Sequence, residues 1–122
     1  MSHKDAAEFV GVLLHSSTAT HFLHLQTASY AAHKALGHYY SNIVDLADKY
    51  AEAYQGHHGI IPLDDYPEGF KVQTDAAKYA DSLLTFVKGT RKDLPKDTDL
   101  QNIIGEIVGE IASLVYKLDR FK

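Results

Sequence analysis

Apolar residues recur every three or four positions along almost the whole chain, which is the period of an amphipathic α-helix. In the first half this pattern predicts a helix over about residues 5–25 and a second one that ends at about residue 55. Thr27 or Ser29 would cap the start of the second helix, and Gly56 would end it. The apolar positions of the first helix are Phe9, Val10, Leu13, Leu14 and Phe22.

The second half shows the same periodicity after an irregular stretch, residues 56–71, which holds two of the three Pro and three of the eight Gly. A third helix is predicted from somewhere in residues 72–75 to about Gly89. Thr98 would cap a fourth helix, and Asp99 would favour its first turn. No strand signal is stronger than the short run Gly59-Ile60-Ile61. The apolar stripe of the fourth helix comprises Ile103, Ile104, Ile107, Val108, Ile111, Leu114, Val115 and Leu118.

Four helices of about 20 residues, each about 30 Å long, predict an all-α four-helix bundle in one domain, residues 1–122. The first and last connections are short, so they join antiparallel neighbours. The middle connection of about 15 residues can span about 50 Å and therefore the whole bundle length. These lengths favour a ferritin-like bundle with one long crossover between the second and third helices.

Composition narrows the class of protein. The 122 residues are 45% hydrophobic and 23% charged, as in an ordinary globular domain. A net charge of −4 argues against a general nucleic-acid-binding surface. The chain has no Cys, no N-terminal signal core and no stretch long enough to span a membrane, so we expect a cytoplasmic protein without membrane contact.

Four potential metal ligands, His21, His33, Asp48 and Glu52, follow one another at gaps of twelve, fifteen and four. Imidazole and carboxylate together suit Fe(II) better than a structural zinc ion, which more often recruits thiolates. The chain contains no Glu-x-x-His motif, so the iron site found inside many ferritin-like bundles is not supported.

The same four positions resemble the Dps family, the mini-ferritins that protect DNA during starvation. His21-Phe22 stands where that family has His-Trp, His33 stands at its second histidine, and the run from Asp45 to Glu52 is similar to its Asp-x-x-Asp-x-x-Ala-Glu run, without a gap. Weaker similarity follows at Tyr66-Pro67, Val72-Gln73 and Asp97-Thr98-Asp99.

The chain departs from the Dps pattern in four ways. It has no Trp, and Gly37 stands where the family often has an acidic residue. The third helix is about one turn short. The Lys-rich tail with which many members hold DNA is absent, since Lys4 is alone, and DNA binding is therefore not expected.

The resemblance implies a ferroxidase site at a two-fold interface. His21 and His33 of one chain would bind iron together with Asp48 and Glu52 of another. Peroxide or dioxygen would oxidise the Fe(II), and ferric mineral would collect in a hollow homo-oligomeric shell of up to twelve subunits. Asp45, one turn before Asp48, would be an orienting residue or an ordinary surface acid.

Alternative interpretations remain for the whole chain and for single residues. The chain would otherwise be a ferritin-like bundle with a degraded metal site that serves assembly or binds a protein partner; a DNA-compacting protein without iron chemistry is the weakest interpretation. His24 and His38 are expected at a helix interface, and supplementing the metal site is the alternative for both. The pair His57-His58 is expected on the surface of the crossover. The four tyrosines of the second helix are expected to pack against neighbouring side chains: Tyr39, Tyr40, Tyr50 and Tyr54. Glu106 and Glu110 are expected on the solvent-facing side of the fourth helix. Asp93, Asp97 and Asp99 are expected to cap a helix or to line an iron pore.

Overall fold

A computed structural model of the chain describes residues 3–66 and 69–122. Within them the protein is all-α, as predicted, and contains no strand. Two short 3₁₀ turns, Leu63–Asp65 and Arg91–Asp93, lie in the connections. The four helices are α1 (Lys4–Gln26), α2 (Tyr30–His58), α3 (Ala76–Thr90) and α4 (Thr98–Arg120).

The start of α2 follows the sequence prediction, but its end does not. Ser29 caps the helix, because its Oγ accepts a hydrogen bond of 3.1 Å from the backbone N–H of Ala32. Gly56 was expected to end α2 and lies inside it. The chain leaves the helix at Gly59, whose φ of 100° is a conformation that side chains rarely allow. The pair His57-His58 therefore belongs to the last helical turn and not to the crossover.

The cap of α4 also differs from the prediction. Asp97 is the N-cap residue, and Thr98 is the first residue of the helix. The Asp97 side chain makes no capping hydrogen bond, because one of its oxygens accepts from His58 Nε2 at 2.8 Å. The N-cap of α3 is Asp75, whose side chain accepts a hydrogen bond from the backbone N–H of Lys78.

Contacts between helices define how they run. Hydrogen bonds from His3 to Tyr54 and from Ser17 to the Tyr40 carbonyl show that α1 and α2 are antiparallel. Lys49 to Glu106 and His57 to Asp99 show the same for α2 and α4. The short connection through Arg91–Asp93 joins α3 to α4.

The principal helix interfaces are α1 with α2, α2 with α4, α3 with α4, and α1 with α3. Consecutive helices α2 and α3 therefore lie diagonally across the bundle. The core draws on all four helices, which is what a single hydrophobic domain requires. No helix in the described ranges is long and apolar enough to cross a membrane.

The buried tyrosines of α2 form part of this core, as the packing interpretation predicted. Tyr39, Tyr50 and Tyr54 are almost fully buried. Tyr39 shares a hydrogen bond of 2.8 Å with Ser16 Oγ, and burial raises the pKa of the Tyr39 phenol. The Tyr50 hydroxyl is buried without a hydrogen bond among the described residues, a cost that the packing of its ring on Phe9 offsets.

Candidate metal centre

His21 lies on the exposed side of α1, and its ring is held by stacking. It lies parallel to the Tyr40 ring, with 4.0 Å between ring centres and 7° between planes. Within the described residues neither of its ring nitrogens takes part in a hydrogen bond. His21 is therefore oriented by Tyr40 while both nitrogens stay available to a ligand.

His33 is bound reciprocally to His24 across the α1–α2 turn. His24 Nδ1–H donates to the His33 carbonyl at 2.6 Å, and His33 Nδ1–H donates to the His24 carbonyl at 2.8 Å. The two rings stack with 3.8 Å between centres and 16° between planes. The His24 carbonyl lies in the last turn of α1, where helices leave carbonyls without intrahelical partners, so His33 also closes that helix end.

These bonds decide the tautomer of both rings. A carbonyl oxygen only accepts, so Nδ1 must carry the proton in each ring. The neutral imidazoles of His24 and His33 therefore hold their free lone pair on Nε2. Histidines that bind metals commonly have this arrangement, with the other ring nitrogen donating to a carbonyl or carboxylate.

Gly37 leaves room for the His24 ring because it has no side chain. A Cβ added at Gly37 would lie 2.9 Å from His24 Cε1, closer than two such carbons approach. The sequence comparison with Dps had marked Gly37 as the position of a missing acidic residue. In the structure the space beside Gly37 holds an imidazole.

Asp48 and Glu52 lie one turn apart on α2 and are exposed. Neither takes part in an ion pair or hydrogen bond within the described residues. Fifteen residues separate His33 from Asp48, which is about 22 Å along a helix. One chain alone therefore does not bring the four predicted ligands together, and across the described ranges no three such side chains converge on a metal position.

His33 and Asp48 nevertheless share one side of α2. At about 100° per residue, His33, Gly37, Val44 and Asp48 fall within an arc of about 60°, and Glu52 lies about 40° beyond Asp48. Asp45 is exposed and has no hydrogen bond or ion pair in the described part of the chain, so nothing distinguishes it from a surface acid.

A second cluster of histidine and carboxylate lies at the other end of α2, where the sequence indicated only a surface pair. His57 Nε2 lies 2.8 Å from Asp99 Oδ2, and His58 Nε2 lies 2.8 Å from Asp97 Oδ1. The hydrogen bond to Asp99 raises the pKa of His57. Hydrogen bonds from the two histidines lower the pKa of Asp97 and of Asp99.

His24 lies between α1 and α2, as the helix-interface prediction expected, and its use as a supplementary ligand stays a prediction. Sequence reasoning missed the pairing of His57 with Asp99 and of His58 with Asp97. Asp97 and Asp99 were interpreted as caps or pore residues, and the capping hydrogen bond is not made. His38 is exposed and contacts Asn42 and Glu110.

The protein is a small helical bundle with histidines at the turn of its first hairpin. The chain belongs to a family of unknown function, DUF5856, which matches residues 24–118. It is also similar to an uncharacterized 14.6 kDa protein in the mobD-ri intergenic region of Enterobacteria phage T4. The two are 33% identical over 113 residues, which cover 93% of this chain and 87% of the relative. No solved structure matches the chain.

Proposed function

We propose that the protein is a ferritin-like homo-oligomer that binds and oxidises Fe(II) at a centre shared between two chains. The observation that supports it is the division of ligands along α2. His33 lies near the start of α2, and His21 lies on the neighbouring α1, where its ring stacks on Tyr40; both rings have a nitrogen without a hydrogen bond in the described structure. Asp48 and Glu52, which have no ion pair or hydrogen bond with another described residue, lie further along α2.

A two-fold axis would bring these halves together. In a two-fold dimer the same surface of each chain meets its copy, so residue i contacts j while j contacts i. If two α2 helices pack antiparallel about the midpoint between His33 and Asp48, near Tyr40 and Ser41, each histidine end faces the carboxylate end of the other chain. Two equivalent centres result, each with ligands from both chains.

The ligand set suits iron in both oxidation states. Imidazole is a good ligand for Fe(II), and anionic carboxylates favour the harder Fe(III) as it forms. Each Fe(II) gives up one electron. Hydrogen peroxide accepts two electrons and two protons to form two water molecules, so one peroxide oxidises two Fe(II) ions.

The fold is compatible with this assignment. α2 and α4 are antiparallel, and α3 turns back into α4 through a short connection, so the two helices joined by residues 59–75 run parallel. A long connection between parallel second and third helices is the ferritin-like arrangement. Iron storage in a shell of up to twelve subunits follows from the Dps resemblance and is part of the proposal.

The experiment is an anaerobic Fe(II) titration followed by peroxide or dioxygen, on protein whose mass is known from light scattering. We expect stoichiometric binding, rapid oxidation and a particle much larger than a monomer. Asp48→Ala and His21→Ala should abolish rapid oxidation while circular dichroism shows an unchanged helical fold. Asp81→Ala, which removes an exposed carboxylate of α3, is the matched control and should oxidise iron normally.

Unchanged oxidation in both site variants would contradict the assignment.

A second function is favoured by the exposed aromatic residues Tyr30, Tyr116 and Phe121, of which Tyr30 is 74% exposed. They support a bundle that serves assembly or binds a protein partner, with a degraded metal site. A small dimer that does not bind iron above buffer would favour this alternative.

A further inference from the structure

We infer that His24 is a metal ligand and that it acts together with His21 from the same helix. The inference rests on the proposed function, because it concerns the same centre, but it assigns a ligand that the four-residue pattern does not contain. It is drawn from the geometry of three imidazoles and from the space beside Gly37.

The ring geometry favours His21 with His24 as the pair that shares one ion. Metal–nitrogen bonds of about 2.0–2.1 Å place the centres of two imidazoles that share one tetrahedral or octahedral ion about 4.5–5 Å apart. The His21 and His24 ring centres are 6.1 Å apart and their planes are inclined by 58°, so the His21 ring must move about 1 Å closer to share an ion with His24. Residues three apart on a helix are neighbours on its surface, so one ion can reach both.

The geometry of His24 with His33 is different. Their rings are nearly parallel, at 16°, with 3.8 Å between centres. The lone pair of an imidazole lies in the ring plane, and two parallel planes do not meet at one ion. His33 therefore does not share an ion with His24 in this arrangement.

His24 is positioned as a ligand should be. Its Nδ1–H is anchored on the His33 carbonyl, which leaves Nε2 without a proton in the neutral ring. Tyr40 supports both imidazoles, since it stacks on His21 and meets the His24 ring edge-on, with 5.3 Å between centres. His21 has no hydrogen bond in the described structure, so it can turn toward the ion without breaking one.

The ligand chemistry defines the class of ion. Neutral imidazoles bind divalent first-row transition metals, and affinity rises from Fe(II) through Co(II) and Ni(II) to Cu(II). Mg²⁺ and Ca²⁺ prefer oxygen ligands and should not compete. Co(II) is a suitable probe, because its visible absorption reports ligand number and it is not oxidised by the buffer in the absence of oxygen.

The test is an anaerobic Co(II) titration of the full chain, followed by visible absorption and calorimetry. Replacing a residue that only orients a metal ligand costs 10–100-fold in affinity, so loss of the ligand itself in His24→Ala should weaken Co(II) binding by at least about tenfold. His24→Gln keeps a hydrogen-bond donor toward the His33 carbonyl while it removes the imidazole, and it should weaken binding similarly. His38→Ala removes an exposed histidine of α2 and is the control that should leave the affinity unchanged.

The outcomes separate this inference from the proposed function. If His24→Gln is folded and binds Co(II) like the wild type while His21→Ala does not, the His24 assignment is wrong and the shared centre stands. If His24→Gln loses binding but Asp48→Ala keeps it, His24 is a ligand and the two-chain assignment is wrong. If the wild-type protein binds no Co(II), both proposals fail.

Discussion

A pair of imidazoles lies at each end of α2, His24 of α1 with His33 at its start and His57 with His58 at its end, and the two pairs direct their ring nitrogens differently. At the α1–α2 turn, His24 and His33 donate through Nδ1 to backbone carbonyls and leave Nε2 free. At the other end, His57 and His58 direct Nε2 at carboxylates. The comparison teaches that the partner of each ring nitrogen, and not the number of histidines, decides whether a cluster is open to a metal ion.

The carboxylates show the same contrast. Asp97 and Asp99 are engaged by histidines of their own chain, which explains the lowered pKa of each. Asp48 and Glu52 have no such partner in the described structure. A carboxylate that is already paired resists further ligation, while an unpaired one remains available.

The largest expected effect is on the rate of Fe(II) oxidation, and it distinguishes Asp48 and Glu52 from Asp97 and Asp99. Replacing both Asp48 and Glu52 with Ala should slow Fe(II) oxidation by more than about 100-fold, because changes that only orient a metal ligand already cost 10–100-fold. Asp97→Asn with Asp99→Asn should leave the rate unchanged. Stopped-flow absorbance of ferric product measures both. If the variant with Asp97→Asn and Asp99→Asn were slow and the variant with Asp48→Ala and Glu52→Ala were normal, the iron centre would lie at the other end of α2. The assignment to Asp48 and Glu52 would then be wrong.

The second effect concerns folding stability. His33→Ala removes the hydrogen bond to the His24 carbonyl and the stacked ring, so the free energy of unfolding should fall by about 1 kcal/mol. His57→Ala removes an exposed hydrogen bond to Asp99 and should cost less. Urea unfolding followed by circular dichroism compares the two. Equal losses would mean that the His24–His33 contact is no stronger than the exposed pair.

A smaller effect is expected at Tyr40, which orients His21 by stacking. Tyr40→Leu should weaken Co(II) binding by a few-fold, about the effect of 0.5–1 kcal/mol for a lost aromatic contact. Tyr40→Phe keeps the ring and should bind as the wild type does. Should Tyr40→Phe lose as much as Tyr40→Leu, the hydroxyl and not the stacking would be responsible.

The smallest expected effect is the pH dependence of the folding stability that the exposed pair His57 and Asp99 contributes. The pKa of His57 is raised in the folded chain, so its contribution to stability is complete below its ordinary value of 6.5 and is lost as the pH rises through the folded value. The pKa of Asp99 is lowered, so its contribution is present above the ordinary value of 3.8 and is lost as the pH falls through the folded value. The pair therefore stabilises the fold chiefly between these two ordinary values.

Thermal unfolding of the wild type and of Asp99→Asn tests this window. The wild type should have the higher Tm at about pH 5.5, where His57 is charged and Asp99 ionised, and the difference should shrink at alkaline pH as His57 loses its proton, to what the Asp99 carboxylate contributes at the start of α4. A difference that grows with rising pH would have the opposite sign and would exclude the ion pair as its cause.

The sequence alone was sufficient for most of the architecture. The three-to-four-residue period predicted four helices, and Thr27 or Ser29 was predicted as the cap of α2 because a short polar side chain before an apolar run satisfies free N–H groups. The structure selects Ser29. Gly56 was misinterpreted as a helix end. A glycine is tolerated inside a helix at a modest cost, and only the φ of 100° at Gly59 marks the true end.

The spacing of His21, His33, Asp48 and Glu52 predicted a shared metal centre, and that centre stays a prediction. Whether these residues meet is a matter of assembly, which spacing along one chain does not decide. Only the tertiary structure brought the His24 ring beside Gly37 and His57 beside Asp99, residues 13 and 42 positions apart. Such contacts depend on the register between packed helices, and that register is set by the core as a whole and not by any local pattern.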